Sequence, residues 1–380
     1  MTALASPPPH PRIAQQLRLK KRWWLLFAAF IAGGVFEVSD NILGLRQFNF
    51  ESSAPAFVKL AKEAAIFWLV LGLVRRNGLP RLTLFGLTIL TIVALCVLSV
   101  LLEPPATSSA QAGLIYYLVS LGMLLTTCSL ISPSDSNDFA RHFILPVLVA
   151  VLLTQGLEIV FAPDSLYKET NLFGLDRRAG IAVIPTTAGM LGVVGFSTLR
   201  GIPRLLSLAV IGLASSSISL LCIAIIVIIR VSSRSRHPIY VLIAFPVVAT
   251  IAAVAITSRA GLDTSVTTRL DILADSIQQL ALIGPSKIGS LVTAKSVALN
   301  PIDSVIVDSM YLEALHLFGI IPGILLLTAM FVTIYRCVGG TAMTMFALVG
   351  IGYLVLEAWI VWLSLLFAFQ RAGDAPSGSH

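Results

Sequence analysis

Residues 258–319 read SRAGLDTSVTTRLDILADSIQQLALIGPSKIGSLVTAKSVALNPIDSVIVDSMYLEALHLFG, a polar and amphipathic run between two long hydrophobic blocks. The chain around it is 57% hydrophobic and only 12% charged over 380 residues, with a mean hydropathy of +0.91. Soluble domains carry roughly 25% charged residues. Half that value, together with repeated apolar runs of about 20 residues, describes a chain that crosses a bilayer many times. A hydrophilic insertion as long as 258–308 then belongs outside the hydrocarbon or beside a wet cavity. Chemistry is expected there.

The net charge of +7 does not point to nucleic acid, because the basic residues sit at the ends of the apolar runs. Cys96, Cys128, Cys222 and Cys337 fall within or beside such runs and read as small packing residues rather than as a disulfide framework. No signal-peptidase pattern follows the basic residues 12–22, so the first apolar run is expected to be a retained anchor.

Reading outward, residues 1–22 are expected to form an unstructured cytoplasmic leader, Pro-rich and then basic, and 23–257 carry membrane spans joined by short loops. The first six spans are expected at 23–43, 56–74, 82–102, 113–131, 143–162 and 181–199, with a polar loop around Arg141. Residues 205–229 are divided by Ala214-Ser215-Ser216-Ser217-Ile218-Ser219. Two short, broken helices are expected here, since hydroxyl-rich breaks at membrane depth line cavities. A further span covers 238–257. Residues 258–308 make one large outer loop with an amphipathic helix, in which Leu270, Leu273, Ile277 and Leu280 share a face. Residues 309–371 hold the C-terminal spans, with a turn near Glu357, and 372–380 form a tail. The fold class is an all-α polytopic membrane protein of about eleven or twelve transmembrane helices. With this topology sixteen of the 26 Lys and Arg lie in the cytoplasm, eight lie outside, and Lys59 and Lys62 are within the membrane. The positive-inside rule thus puts the large loop outside, in the periplasm of a Gram-negative cell.

Four outer arginines run against that rule: Arg177 and Arg178 before the sixth span, Arg259 after the ninth, and Arg269 in the amphipathic helix. Singly, each could meet lipid headgroups or pair with Asp263, Asp271 or Asp275. As a group they suit an anionic ligand, because guanidinium forks hold pyrophosphate bidentately. Lys59 and Lys62 stand one turn apart and are either ligand contacts or snorkelling side chains. The turn Ile283-Gly284-Pro285-Ser286-Lys287-Ile288-Gly289 either offers amides and Lys287 to a phosphate or simply closes the loop. Asp308 is placed to cap a helix and to accept a proton from a hydroxyl, two roles that are compatible. Glu313 and His316 have metal-ligand spacing but no second pair, so no metal centre is expected.

In order and spacing these motifs resemble the bacterial O-antigen polymerase and ligase superfamily (Wzy-type polymerases and lipid A-core O-antigen ligases). The resemblance covers the C-terminal two thirds. It rests on Arg177-Arg178-Ala179-Gly180, the Ser-rich break at 214–219, Arg259 and Arg269 with the Gly284–Gly289 turn, and Asp308-Ser309-Met310-Tyr311-Leu312 leading to Gly323. Two positions depart from the pattern. Asp308-Ser309 stands where ligases usually have His-Asn, which favours a polymerase, and Ser216-Ser217-Ile218 replaces the usual Ser-Arg-Gly.

The resemblance implies a GT-C-like, metal-independent glycosyltransferase without cofactor, acting at the periplasmic face of the inner membrane. Its substrate would be undecaprenyl-pyrophosphate-linked oligosaccharide, and a polysaccharide chain-length regulator would be a natural partner. Arg177, Arg178, Arg259, Arg269, Lys287, Lys59 and Lys62 would then serve the pyrophosphate, and Asp308 would be the base. A ligase moving glycan to a lipid or protein acceptor is the alternative. The broken helices also admit a transporter of anionic lipid or solute.

Overall fold

The computed structural model describes residues 11–43, 56–78, 84–102, 108–162, 177–182, 184–234, 277–286, 309–351 and 358–370. Among these residues the chain is all-helical, without strands. Helix α1 (Pro11–Ile42) corrects the first expected span, because the helix already begins in the basic part of the leader, whereas α2 (Ala56–Asn77), α3 (Leu84–Leu102) and α4 (Ser108–Leu130) match the expected spans.

The next segment corrects the sequence reading. In place of a polar loop around Arg141, the chain turns only at Ile131-Ser132 and is helical from Pro133 onward. Two local features explain this. Pro133 opens α5 (Pro133–Phe139), where its missing N–H is no loss, and the carboxylate of Asp135 reaches back to the backbone N–H of Ser132 at 3.0 Å. A π turn at Ala140–Ile144 then leads into α6 (Leu145–Phe161), in which Leu145 N–H donates to Ala140 O. The wider turn absorbs Pro146, which has no N–H to continue the ordinary ladder.

Beyond it come α7 (Pro185–Thr198), α8 (Ile202–Ala214) and α9 (Ser217–Arg234). The Ser-rich run does separate two short helices, as expected. Further on lie α10 (Met310–Phe318), α11 (Ile320–Cys337), α12 (Gly340–Ile351) and α13 (Trp359–Phe369). Of residues 342–370, those described form two helices, α12 and α13, as expected. The expected span at 238–257 lies outside the described residues.

Lys21–Asp40, Pro133–Phe161 and Ile320–Cys337 are long and apolar enough to cross a membrane, and shorter apolar helices surround them. The packing is that of a membrane protein. Phe57, Leu101, Val160, Phe161 and Ile202 point outward, whereas Gln155, Glu158, Ser215, Ser219 and His316 point inward. Large apolar faces of this extent are not left to water in soluble monomers. The centre is held by α7 and α13, each buried on nearly every side. Gly189, Gly192 and Gly195 form a stripe on α7; a Cβ on Gly192 would lie 3.1 Å from Ser207 O, and one on Gly189 2.5 Å from Ser219 Oγ. Small residues at this spacing let α8 and α9 pack at backbone distance.

One end of the bundle is tied by polar bonds. The Arg76 guanidinium forks onto Asp135, with Nη1 to Oδ1 at 2.5 Å and Nη2 to Oδ2 at 2.6 Å. Asn77 Nδ2 donates to Leu130 O, and Gln370 Nε2 donates to Ile131 O. Trp23 packs close by against Phe139 and Phe367, with ring centroids 5.2 and 4.9 Å away. The start of the first apolar run and the end of α13 thus meet at the same end of the bundle.

Asp135 is buried and also holds the Ser132 turn. Removing one partner of such a pair costs about 3–5 kcal/mol when both are buried. Since Arg76 is partly exposed, Asp135→Ala is expected to lose about 2 kcal/mol. The loss should appear as a lower thermal unfolding midpoint of the detergent-solubilised protein.

Candidate functional site

The best-defined polar assembly is built on the break between α8 and α9. A helix end leaves four carbonyls without partners, and at membrane depth each such group costs several kcal/mol. Here all four are taken. Ile211 O accepts from Ser215 N–H at 2.7 Å, and Gly212 O accepts from Ser215 Oγ. Leu213 O accepts from the backbone N–H of Arg178 at 3.0 Å, and Ala214 O accepts from Arg177 Nε at 3.0 Å. Ser215 reaches its position in the left-handed region, with φ 44°. On the far side of the break, Ser216 O receives both Leu220 N–H and Ser219 Oγ.

The segment carrying the two arginines is in turn fixed to the end of α6. Arg178 Nη1 donates to Ala162 O at 2.5 Å, and Gln155 Nε2 donates to Arg178 O at 2.9 Å. Glu158 Oε2 accepts from Gly180 N–H at 3.0 Å. Gly180 has φ +54°, and a Cβ there would sit 2.8 Å from Val151 O. Only glycine allows the chain to lie so close to α6. Arg178 is buried and Arg177 half-buried, so Arg177 is the more accessible of the two. Gln155 and Glu158 were not singled out from sequence. Their signal was nonetheless present, as polar residues one turn apart in an otherwise apolar span.

A second assembly braces the corner between α10 and α11. Gly319 turns there with φ +89°, and its Cα faces the Ile283-Gly284 backbone so closely that a Cβ would lie 2.8 Å from Ile283 Cα. Gly284 N–H donates to Phe318 O and Ser286 N–H to His316 O, while Ile320 and Ile321 donate to Ala281 O and Leu282 O. Ser286 Oγ and His316 Nδ1 are joined by a buried hydrogen bond of 2.6 Å. The amides of Gly284 and Ser286 are thus committed to carbonyls of α10 and are not offered to a phosphate, while Lys287, Ile288 and Gly289 lie outside the described residues.

The capping expectation is corrected too. The N-cap position of α10 is Ser309, not Asp308, which stands one residue earlier. Asp308, Arg259, Arg269 and Lys287 lie outside the described residues, as does the side chain of Lys59. Lys62 is half-buried on α2, beside Glu63, which accepts a hydrogen bond from Tyr116 Oη at 3.0 Å. Tyr116 stacks on Trp359 with centroids 4.9 Å apart. The structure thus brings Arg177 and Arg178 together with the helix break. Among the described residues no group of three His, Cys, Asp or Glu could hold a metal.

No protein-family model, no curated protein and no solved structure matches this chain.

Gly180→Ala is expected to lower the unfolding midpoint by an amount equivalent to about 1–3 kcal/mol, from backbone strain and the clash with α6. Arg178→Ala should do the same by orphaning Ala162 O. Thermal unfolding followed by circular dichroism in detergent checks both.

Proposed function

We propose that the chain is a membrane-embedded, metal-independent glycosyltransferase of GT-C-like architecture. It transfers undecaprenyl-pyrophosphate-linked glycan onto a sugar hydroxyl of another lipid-linked repeat unit, at the periplasmic face of the bacterial inner membrane. The observation that carries this reading is the docking of Arg177-Arg178 on the α8–α9 break. It supplies fixed cationic groups at one end of an apolar bundle, which is what a lipid pyrophosphate requires.

In this reading the half-buried Arg177 faces the pyrophosphate, and buried Arg178 positions it. Arg259, Arg269 and Lys287, supplied by the outer loop, complete the charge, with Lys59 and Lys62 on α2 at the rim. Transfer breaks the bond between the anomeric carbon and the pyrophosphate oxygen and forms one to the acceptor oxygen. Cations lower the barrier by stabilising the charge that develops on the leaving pyrophosphate. Asp308 takes the proton from the acceptor hydroxyl. No metal or cofactor is required, and the donor's polyprenyl tail stays in the bilayer throughout.

Asp308→Ala is expected to reach the membrane at the wild-type level and to leave cells with single repeat units in place of long glycan. Gel analysis of the cell-surface glycan reads the outcome. Full-length polymer from that variant refutes the role of Asp308. Unlinked long chains in a deletion strain would assign the chain to ligation instead.

A further inference from the structure

The opposite end of α8 holds a second cationic site, separate from the one at its break. Arg200, Arg204 and Arg230 line one cavity of about 520 Å³ together with Ser197 and Thr198. The sequence topology assigns all three arginines to the cytoplasmic side. That rule accounts for their side of the membrane but not for their convergence.

Phe196 organises the convergence. The guanidinium carbons of Arg204 and Arg230 lie 5.4 and 5.2 Å from its ring centroid. Arg204 Nε donates to Leu199 O at 3.1 Å, and Arg230 Nη2 donates to Ser197 O at 2.8 Å. These bonds place cations at the C-terminal end of α7, where the helix dipole favours them. They anchor Arg204 and Arg230 beside the cavity, and among the described residues that line it there is no carboxylate. Arg200 is exposed and makes no hydrogen bond or ion pair with any described residue. The hydroxyl protons of Ser197 and Thr198 are committed to Val193 O and Val194 O, so recognition falls to the guanidinium groups.

Two further features select the ligand. The cavity adjoins the first turn of α8, which starts at Gly201 with no side-chain cap and whose dipole favours an anion. Directly beside Arg204, Ile202, Leu205 and Leu208 point away from the bundle, with Ile202 75% exposed. A cationic cavity opening next to an outward apolar stripe sits at headgroup depth, with acyl chains able to run along α8. We propose that Arg200, Arg204 and Arg230 form a binding site for a phosphate group borne by an anionic lipid of the cytoplasmic leaflet. Its volume lies in the range of small-molecule sites and accommodates a glycerophosphate headgroup.

The test measures binding to the full-length purified protein in a neutral detergent at physiological salt. The probes are a short-chain phosphatidylglycerol, the matching phosphatidylcholine, and inorganic phosphate. Phosphatidylglycerol is expected to bind at least about tenfold more tightly than phosphatidylcholine. Arg204→Gln should lose most of that preference and Arg204→Lys should keep part of it. Because Arg200 is exposed and bonds to none of the described residues, Arg200→Gln should weaken phosphatidylglycerol binding several-fold without shifting the unfolding midpoint. Inorganic phosphate binding as tightly as the lipid would keep the phosphate site but make its source soluble. Equal binding of the two lipids by the wild type, with no effect of Arg200→Gln and no phosphate binding, would overturn the proposal.

Discussion

The four carbonyls at the end of α8 impose the constraint on which the rest depends. Helix α8 has only 13 residues, roughly 20 Å in length, against about 30 Å of hydrocarbon. A helix that stops short must dispose of its terminal carbonyls without water. Ser215 takes two by adopting a left-handed conformation, and the Arg177-Arg178 segment takes the other two. This forces that segment to lie over the break, and Gly180, Gln155 and Glu158 hold it there against α6. The glycine stripe of α7 then lets both short helices sit close enough for the arrangement to close.

One consequence is that a single short helix separates two groups of cations. Arg177 engages the C-terminal end of α8, and Arg204 lies in its first turn. Because α9 doubles back, Arg230 returns to the level of Phe196 and joins Arg200 and Arg204 rather than Arg177. The same break therefore fixes Arg177 and Arg178 at one end of α8 and, through the return of α9, gathers three arginines around a cavity at the other. Both proposals draw on the same physics: guanidinium groups held by backbone carbonyls stay charged and oriented at an apolar boundary.

What was legible in the sequence followed from local chemistry. The hydroxyl cluster 214–219 betrays a break because few apolar helices carry so many competing side chains, and apart from the starts of α1 and α5 the helix ends fall close to the edges of the apolar runs. The region around Arg141 misled for an equally local reason. Its polar residues suggest a loop, but Pro133 and Asp135 start a helix, and the tertiary fork from Arg76 makes its first turn worth forming. That fork joins positions 59 residues apart and leaves no local trace. The use of Arg177 as a helix cap was likewise hidden. Sequence shows an unusual outer charge, but only the packing of α6, α7 and α8 shows which carbonyls it meets. Asp308, Arg259 and Arg269 keep their roles as proposals on sequence grounds alone.

The account stands or falls on the α8–α9 pair entering and leaving by the same face. Single cysteines at Gly201, Ser235 and Thr170, in a protein whose four native cysteines are replaced by serine, report this through labelling with a membrane-impermeant maleimide. Gly201→Cys and Ser235→Cys, which flank the pair, are expected to react only after the cells are opened, whereas Thr170→Cys reacts in intact cells. Labelling of Gly201→Cys and Ser235→Cys from opposite sides would contradict the broken-helix topology and the separation of the two cationic groups.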